Sequence, residues 1–256
     1  MKNAPISSFM ARESLQRSSH AKPIRDTIRV RLKLATAFLM VTAIAGNQKA
    51  DAQDWAGVAR YRDANHALVK TDPRRVVFIG DSITEGWANQ RFIADNPHFV
   101  GRGISSQTAP QMLVRFRFDV VALKPAVVHI MAGTNDVARN SGPETDDEIL
   151  GYIVSMVDLA HAKGIKVIIA SIPPTVDFPW RRGLGPAPTI TALNVRLKAY
   201  AASHRCIYAD YWSVLADARG GMKPQYSGDG VHPNAAGYEA MRPVAQAAIA
   251  QAIRER

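Results

Sequence analysis

Four stretches of this 256-residue chain hold residue types that together could attack a carbonyl carbon. The first is Gly80-Asp81-Ser82-Ile83-Thr84-Glu85-Gly86-Trp87, directly after the apolar run ending at Ile79. A serine there stands at the carboxyl end of a strand, where open parallel sheets bind ligands. It also stands at a helix start, where free N–H groups favour developing negative charge. The same letters allow a simpler reading, because Ser82 and Glu85 have the spacing of an S-x-x-E capping box. The second stretch, Asp229-Gly230-Val231-His232-Pro233, puts a carboxylate three residues before an imidazole. Asp229 could fold back on Nδ1–H and leave Nε2 free as a base. A structural histidine is the competing reading.

Two further loops follow apolar runs. In Val100-Gly101-Arg102-Gly103-Ile104-Ser105-Ser106-Gln107-Thr108, Gly103 has no side chain to keep a ligand from its N–H. In Met131-Ala132-Gly133-Thr134-Asn135-Asp136, an amide side chain reaches the same edge. The N–H groups of Ser82 and Gly103 and the Asn135 amide, converging on one point, would form an oxyanion hole, in which a single donor is worth about 10²–10³ in rate. Taken singly, Gly103 reads as a turn and Asn135 as a helix cap.

These stretches need a scaffold that brings them to one rim. Val76–Ile79, Val127–Met131 and Val167–Ala170 are near-continuous apolar runs, as expected of strands buried on both faces of a parallel sheet. Phe99-Val100 and Ile207–Ala209 are two weaker strand candidates. Helices are expected over 83–92, 109–123, 144–163, 189–203 and 234–253. The third opens on Glu144, Asp146, Asp147 and Glu148 and closes on Lys163-Gly164. This alternation predicts one α/β domain with right-handed crossovers. Residues 172–188, with five prolines around Trp180-Arg181-Arg182, form the one long irregular stretch, expected to be a binding rim.

With G-D-S-I-T, R-G-I-S-S-Q-T, G-T-N-D and D-G-V-H-P in that order, residues from about 75 to 250 resemble the SGNH hydrolases, the GDSL esterase/lipase family. The resemblance implies a flavodoxin-like three-layer α/β/α fold around a parallel sheet of about five strands. It implies Ser82 as nucleophile, Asp229 and His232 as its partners, and Ser82, Gly103 and Asn135 as oxyanion donors. It implies esters, thioesters or acylated sugars as substrates, with no cofactor or metal. The chain departs from the common pattern at Arg102, where many members have Asn, and at Ser106, where many have Gly.

Composition is ordinary for a globular protein, and a small-molecule or carbohydrate ester as partner is what the resemblance implies. Of the ten net positive charges, six fall in residues 1–52, which hold nine basic and three acidic residues. The remainder is too weakly basic to suggest a nucleic-acid partner. Arg25–Lys33 runs into the uncharged Leu34–Ala45, too short for a stable span, and then Ala50-Asp51-Ala52. A secretory signal peptide cleaved after Ala52 is the expectation, with 53–256 as a single catalytic domain. One cysteine, Cys206, excludes an internal disulfide, and seven scattered histidines without H-E-x-x-H give no metal motif. Acetyl esters on carbohydrate are the first substrate expectation. A lysophospholipase or thioesterase, with Met112, Leu113, Phe116 and Phe118 lining an acyl channel, is the second. A carbohydrate-binding module without turnover is the third.

Overall fold

The computed structural model describes residues 54–68 and 71–254; the expected signal segment lies outside them. Five strands, β1 (Val76–Gly80), β2 (Phe99–Gly103), β3 (Val127–Met131), β4 (Lys166–Ala170) and β5 (Cys206–Ala209), pair in parallel in the order β2-β1-β3-β4-β5. Around them lie α1 (Arg62–Ala67), α2 (Ser82–Ala88), α3 (Arg91–Ala94), α4 (Ala109–Asp119), α5 (Thr134–Val137), α6 (Asp146–His161), α7 (Ala187–Ser203), α8 (Tyr211–Leu215) and α9 (Ala235–Arg254). Asp54–Arg256 is one compact unit.

The apolar runs are continuous because alternate residues enter two different cores. Val77, Ile79, Val128, Ile130, Val167 and Ile169 pack with Met112 and Phe116 of α4, Ile153 and Val157 of α6, and Leu193 and Leu197 of α7. Val76, Phe78, Val127, Met131 and Ile168 pack on the other face with Ile83 and Trp87 of α2, Leu215 of α8, and Met241 and Ala245 of α9. The result is the expected three-layer α/β/α, flavodoxin-like arrangement. His129 faces the second core and bonds Tyr211 Oη through Nε2 at 2.8 Å. Burial drives its pKa down to about 3, so it is a neutral core histidine.

Several boundaries differ from the sequence reading. The expected helix 83–92 is two, α2 and α3, and the 109–123 segment ends its α-helix at Asp119 before a 3-10 turn at Val121–Leu123. Short helices α1, α5 and α8 lack the long apolar periodicity that marks a helix in sequence. Among the described residues, no helix is long and apolar enough to cross a membrane.

The strand order puts a topological switch between β1 and β3. Their following chains leave toward opposite faces of the sheet, opening a crevice at the carboxyl ends. Ser82 follows β1 and Asn135 follows β3.

Candidate active site

Ser82 is the first residue of α2, and Asp81 is its N-cap, accepting from Ile83 N at 2.9 Å. The S-x-x-E capping box is therefore not made. Glu85 instead accepts from Ser105 N at 2.9 Å and pairs with Arg60. The Ser82 hydroxyl is left for His232, with Oγ 2.9 Å from Nε2. His232 Nδ1 lies 2.7 Å from Asp229 Oδ2.

The turn that carries His232 is built around Asp229. Its Oδ1 accepts from Val231 N at 2.9 Å, His232 N at 2.8 Å and Ser227 Oγ at 3.0 Å. Gly230 takes φ 81°, a left-handed conformation that costs a glycine little. Partial burial pushes the Asp229 carboxyl up, but the bonds from His232 and Val231 outweigh it and hold the group far below the usual carboxylate range. The pair is not sealed, since the His232 and Asp229 side chains are 37% and 42% exposed. Asn234 then caps α9 by accepting from Gly237 N, and Tyr238 Oη of α9 donates to Ile83 O at 2.9 Å. That bond ties the histidine's helix to the serine's.

Gly103 also meets a packing need that its sequence context does not show. A Cβ there would lie 2.1 Å from Glu85 N and 2.6 Å from Glu85 Cα. The missing side chain makes room for α2 and lets the serine's helix sit against the end of β2. The nearby departures from the family pattern also have structural reasons. Arg102 is buried, donates to Asn65 Oδ1 at 2.8 Å and lies over the Tyr61 ring, tethering α1. Ser106 takes φ 66°, the backbone region that glycine occupies most easily.

Asn135 lies inside α5, buried, with both ends of its amide engaged. Nδ2 donates to Gln107 O at 3.0 Å and has a long 3.4 Å contact with Asp81 Oδ2, while Oδ1 accepts from Asn140 Nδ2 at 2.7 Å. Asp136 beside it accepts from Ala109 N at 2.8 Å, pinning the start of α4. Burial, reinforced by Glu144, raises the Asp136 carboxyl well above the usual range. Burial likewise raises Asp81 to about 6, against the bond from Ile83 N.

Sequence reasoning assigned no role to Arg115 or Asn140, and it gave Trp180 only a place in the expected binding rim. Arg115 is fully buried, donating to Gly80 O at 3.0 Å, Gln107 Oε1 at 2.6 Å and Asp119 Oδ2 at 3.0 Å. Its i,i+4 spacing to Asp119 was the available signal. Trp180 of the 172–188 loop lies with its ring centroid 6.1 Å from that of His232. Of the proposed acyl-channel residues, Met112 and Phe116 are wholly in the core, whereas Phe118 is half-exposed. A hollow of about 290 Å³ adjoins Asp229, lined by Thr175, Asp177, Asp217, Arg219 and Ser227 among others. A larger apolar hollow of about 420 Å³ beside α1 and Phe118 shares no lining residue with the Ser82–His232 rim.

The pattern of the GDSL-like Lipase/Acylhydrolase family matches residues 78–240, which span all four stretches. The chain is 45% identical to a candidate acylhydrolase of Bacteroides fragilis of known structure, with a TM-score of 0.75 over 78% of this chain and 99% of that one. It is 42% identical to a GDSL-like lipase of Bacteroides thetaiotaomicron, with a TM-score of 0.74 over 77% and 98% of the two chains. It is also 28% identical to Esterase TesA of Pseudomonas aeruginosa over 171 residues, which are 62% of this chain and 79% of that protein. A parallel sheet with a serine–imidazole pair at its switch point thus comes together with a family-wide match, and the chain belongs to the GDSL-like lipase/acylhydrolase family of carboxylic ester hydrolases.

Proposed function

We propose that the protein is an exported serine esterase that removes short acyl groups, above all acetyl, from carbohydrate through an acyl-enzyme. The observation that carries this reading is the unbroken chain from Ser82 Oγ through His232 to Asp229, with contacts of 2.9 and 2.7 Å. His232 Nε2 takes the Ser82 proton as Oγ attacks the ester carbonyl carbon. Asp229 holds the imidazole in the tautomer this requires. The tetrahedral oxyanion is met by the Ser82 N–H at the α2 terminus and by the Asn135 amide. Nδ2 donates to Gln107 O at 3.0 Å and to Asp81 Oδ2 at 3.4 Å, and the longer of these is the bond that an oxyanion would replace. Collapse passes the proton from His232 to the departing alkoxide oxygen, and water then repeats the attack on the acyl-enzyme. The Gly103 N–H is the third donor, and the absent side chain there also admits the α2 backbone.

The hollow beside Asp229 offers Asp177, Asp217 and Arg219 to a hydroxyl-rich leaving group, and neither Ser82 nor His232 lines the larger apolar hollow. Those two features favour a short acyl group over a long-chain lipid or thioester. Labelling with a fluorophosphonate is expected at Ser82 and absent in Ser82→Ala. Folded wild-type protein that resists the label overturns the serine mechanism and favours a binding role. On p-nitrophenyl esters from acetate to palmitate, kcat/KM is expected to fall with chain length, and acetylated xylan is expected to release acetate. A preference for palmitate overturns the substrate assignment while leaving the mechanism in place.

A further inference from the structure

We propose that Trp180 is a positioning residue for the Asn135 amide, acting through Asn140, so that the 172–188 loop holds the oxyanion donor in place. This rests on the donor role given to Asn135 above. The polarity of the chain follows from what each group can donate. Indole Nε1–H is donor only, so the atom of Asn140 that faces Trp180 must be Oδ1, at 3.2 Å. Asn140 Nδ2 is thereby turned toward Asn135 Oδ1, at 2.7 Å. With its Oδ1 fixed, Asn135 presents Nδ2 to the Gln107 carbonyl and to Asp81 Oδ2. The terminal torsion of an Asn side chain is soft, so an amide held at one end only would swing.

The backbone is shaped to make this contact. Arg139 takes φ 58°, a conformation that L residues other than Asn and Asp seldom adopt, and Asn140 N returns to Asn135 O at 2.9 Å. That turn folds Asn140 back over Asn135. On the other side, Phe178 is fully buried and anchors the loop, with Arg181 N bonded to Phe178 O at 2.9 Å and Gly183 N to Asp177 Oδ1 at 2.9 Å. Trp180 packs on Phe178 with ring centroids 5.2 Å apart, yet remains 45% exposed. Core packing therefore does not account for a tryptophan there. One indole is in contact with Asn140 through its N–H and stands beside His232 with its ring.

The test uses p-nitrophenyl acetate, with kcat and KM read separately. Trp180→Phe keeps a ring and loses the donor. It is expected to lower kcat about 5-fold, a part of the 10²–10³ that a whole oxyanion donor supplies, with KM little changed. Asn140→Ala should lower kcat further, and Asn140→Asp should match it, because the aspartate still accepts from Trp180 but cannot donate to Asn135. Links in series do not add: Trp180→Phe should cost nothing more in an Asn140→Ala or Asn135→Ala background. An unchanged kcat in Trp180→Phe, an effect on KM alone, or full additivity with Asn140→Ala overturns the relay. If Trp180→Phe fails to fold, the two Asn140 variants decide between the same outcomes: a normal kcat in both overturns the relay. Fluorophosphonate labelling of Ser82 in each variant separates the relay from the mechanism beneath it. Labelling with no dependence on Trp180 defeats only the relay, whereas no labelling even in wild type defeats the serine mechanism.

Discussion

Asp229 accepts four hydrogen bonds: three on Oδ1 that shape its own turn, and one on Oδ2 from His232 Nδ1. Shape and chemistry thus fall on different oxygens, and Asp229→Asn separates them. The amide oxygen can still accept from Val231 N, His232 N and Ser227, while its NH₂ would face Nδ1 and favour the tautomer with the proton on Nε2. The expected outcome is a kcat lowered about 10⁴-fold, as loss of the correct tautomer produces in such triads. The thermal midpoint should move little. A calorimetric scan with steady-state kinetics checks both, and a normal rate would remove Asp229 from the mechanism. At this scale the sequence named candidates well where a side chain and its local turn coincide, as in D-G-V-H-P. It was silent on Asn140 and on the link from Trp180 to it, because the two are 40 residues apart and the link exists only once the loop closes on the turn. The packing constraint on Gly103 was not legible either, since the crowding there comes from a helix, which spacing along β2 cannot reveal.

Among the elements, α4 does the most to fix the crevice. Its N-terminus is pinned by Asp136, and its buried Arg115 reaches the last carbonyl of β1 and the side chain of Gln107. The Arg115–Asp119 pair has no exposed side-chain surface on either partner. Removing one partner of such a pair leaves the other charged in a dry interior, at a cost of about 3–5 kcal/mol. Arg115→Met is expected to destabilise the protein by that order in urea unfolding, and to lower kcat by releasing the Gly80 and Gln107 contacts. A change under about 1 kcal/mol would show that Asp119, which also accepts from Asn65 Nδ2, is satisfied without the arginine. The three central strands were legible because burial on both faces leaves an uninterrupted apolar run, whereas the partly exposed edge strands β2 and β5 gave weaker signals. The short helices α1, α5 and α8 were not, because a single turn is held by tertiary contacts and caps, not by periodicity.

Over the whole molecule, buried carboxyls give stability a characteristic pH dependence. Asp136 and Asp81 both have carboxyl pKa values raised above those of the unfolded chain, chiefly by burial. Between the unfolded value, near 4, and the raised folded value, the native state binds more protons than the unfolded one, so these groups make stability fall as pH rises. Asp136→Asn keeps an oxygen to accept from Ala109 N and removes one titration. Its stability should decline less than that of wild type from pH 5 to pH 8, read as urea midpoints at the two ends. Parallel declines would mean that Asp136 is ionised throughout. The family, the α/β class and the positions of the strands were determined by the sequence alone, because apolar runs, turn residues and short motifs are local properties of the chain. Tertiary structure decided the rest: that the β1/β3 switch puts residues 150 apart within 2.9 Å, that Glu85 leaves Ser82 uncapped for Ser105, and that an indole reaches the Asn135 amide through Asn140. These depend on which strands become neighbours and how closely helices pack on them, and that is set by burial of the entire sheet, which no short stretch of sequence contains.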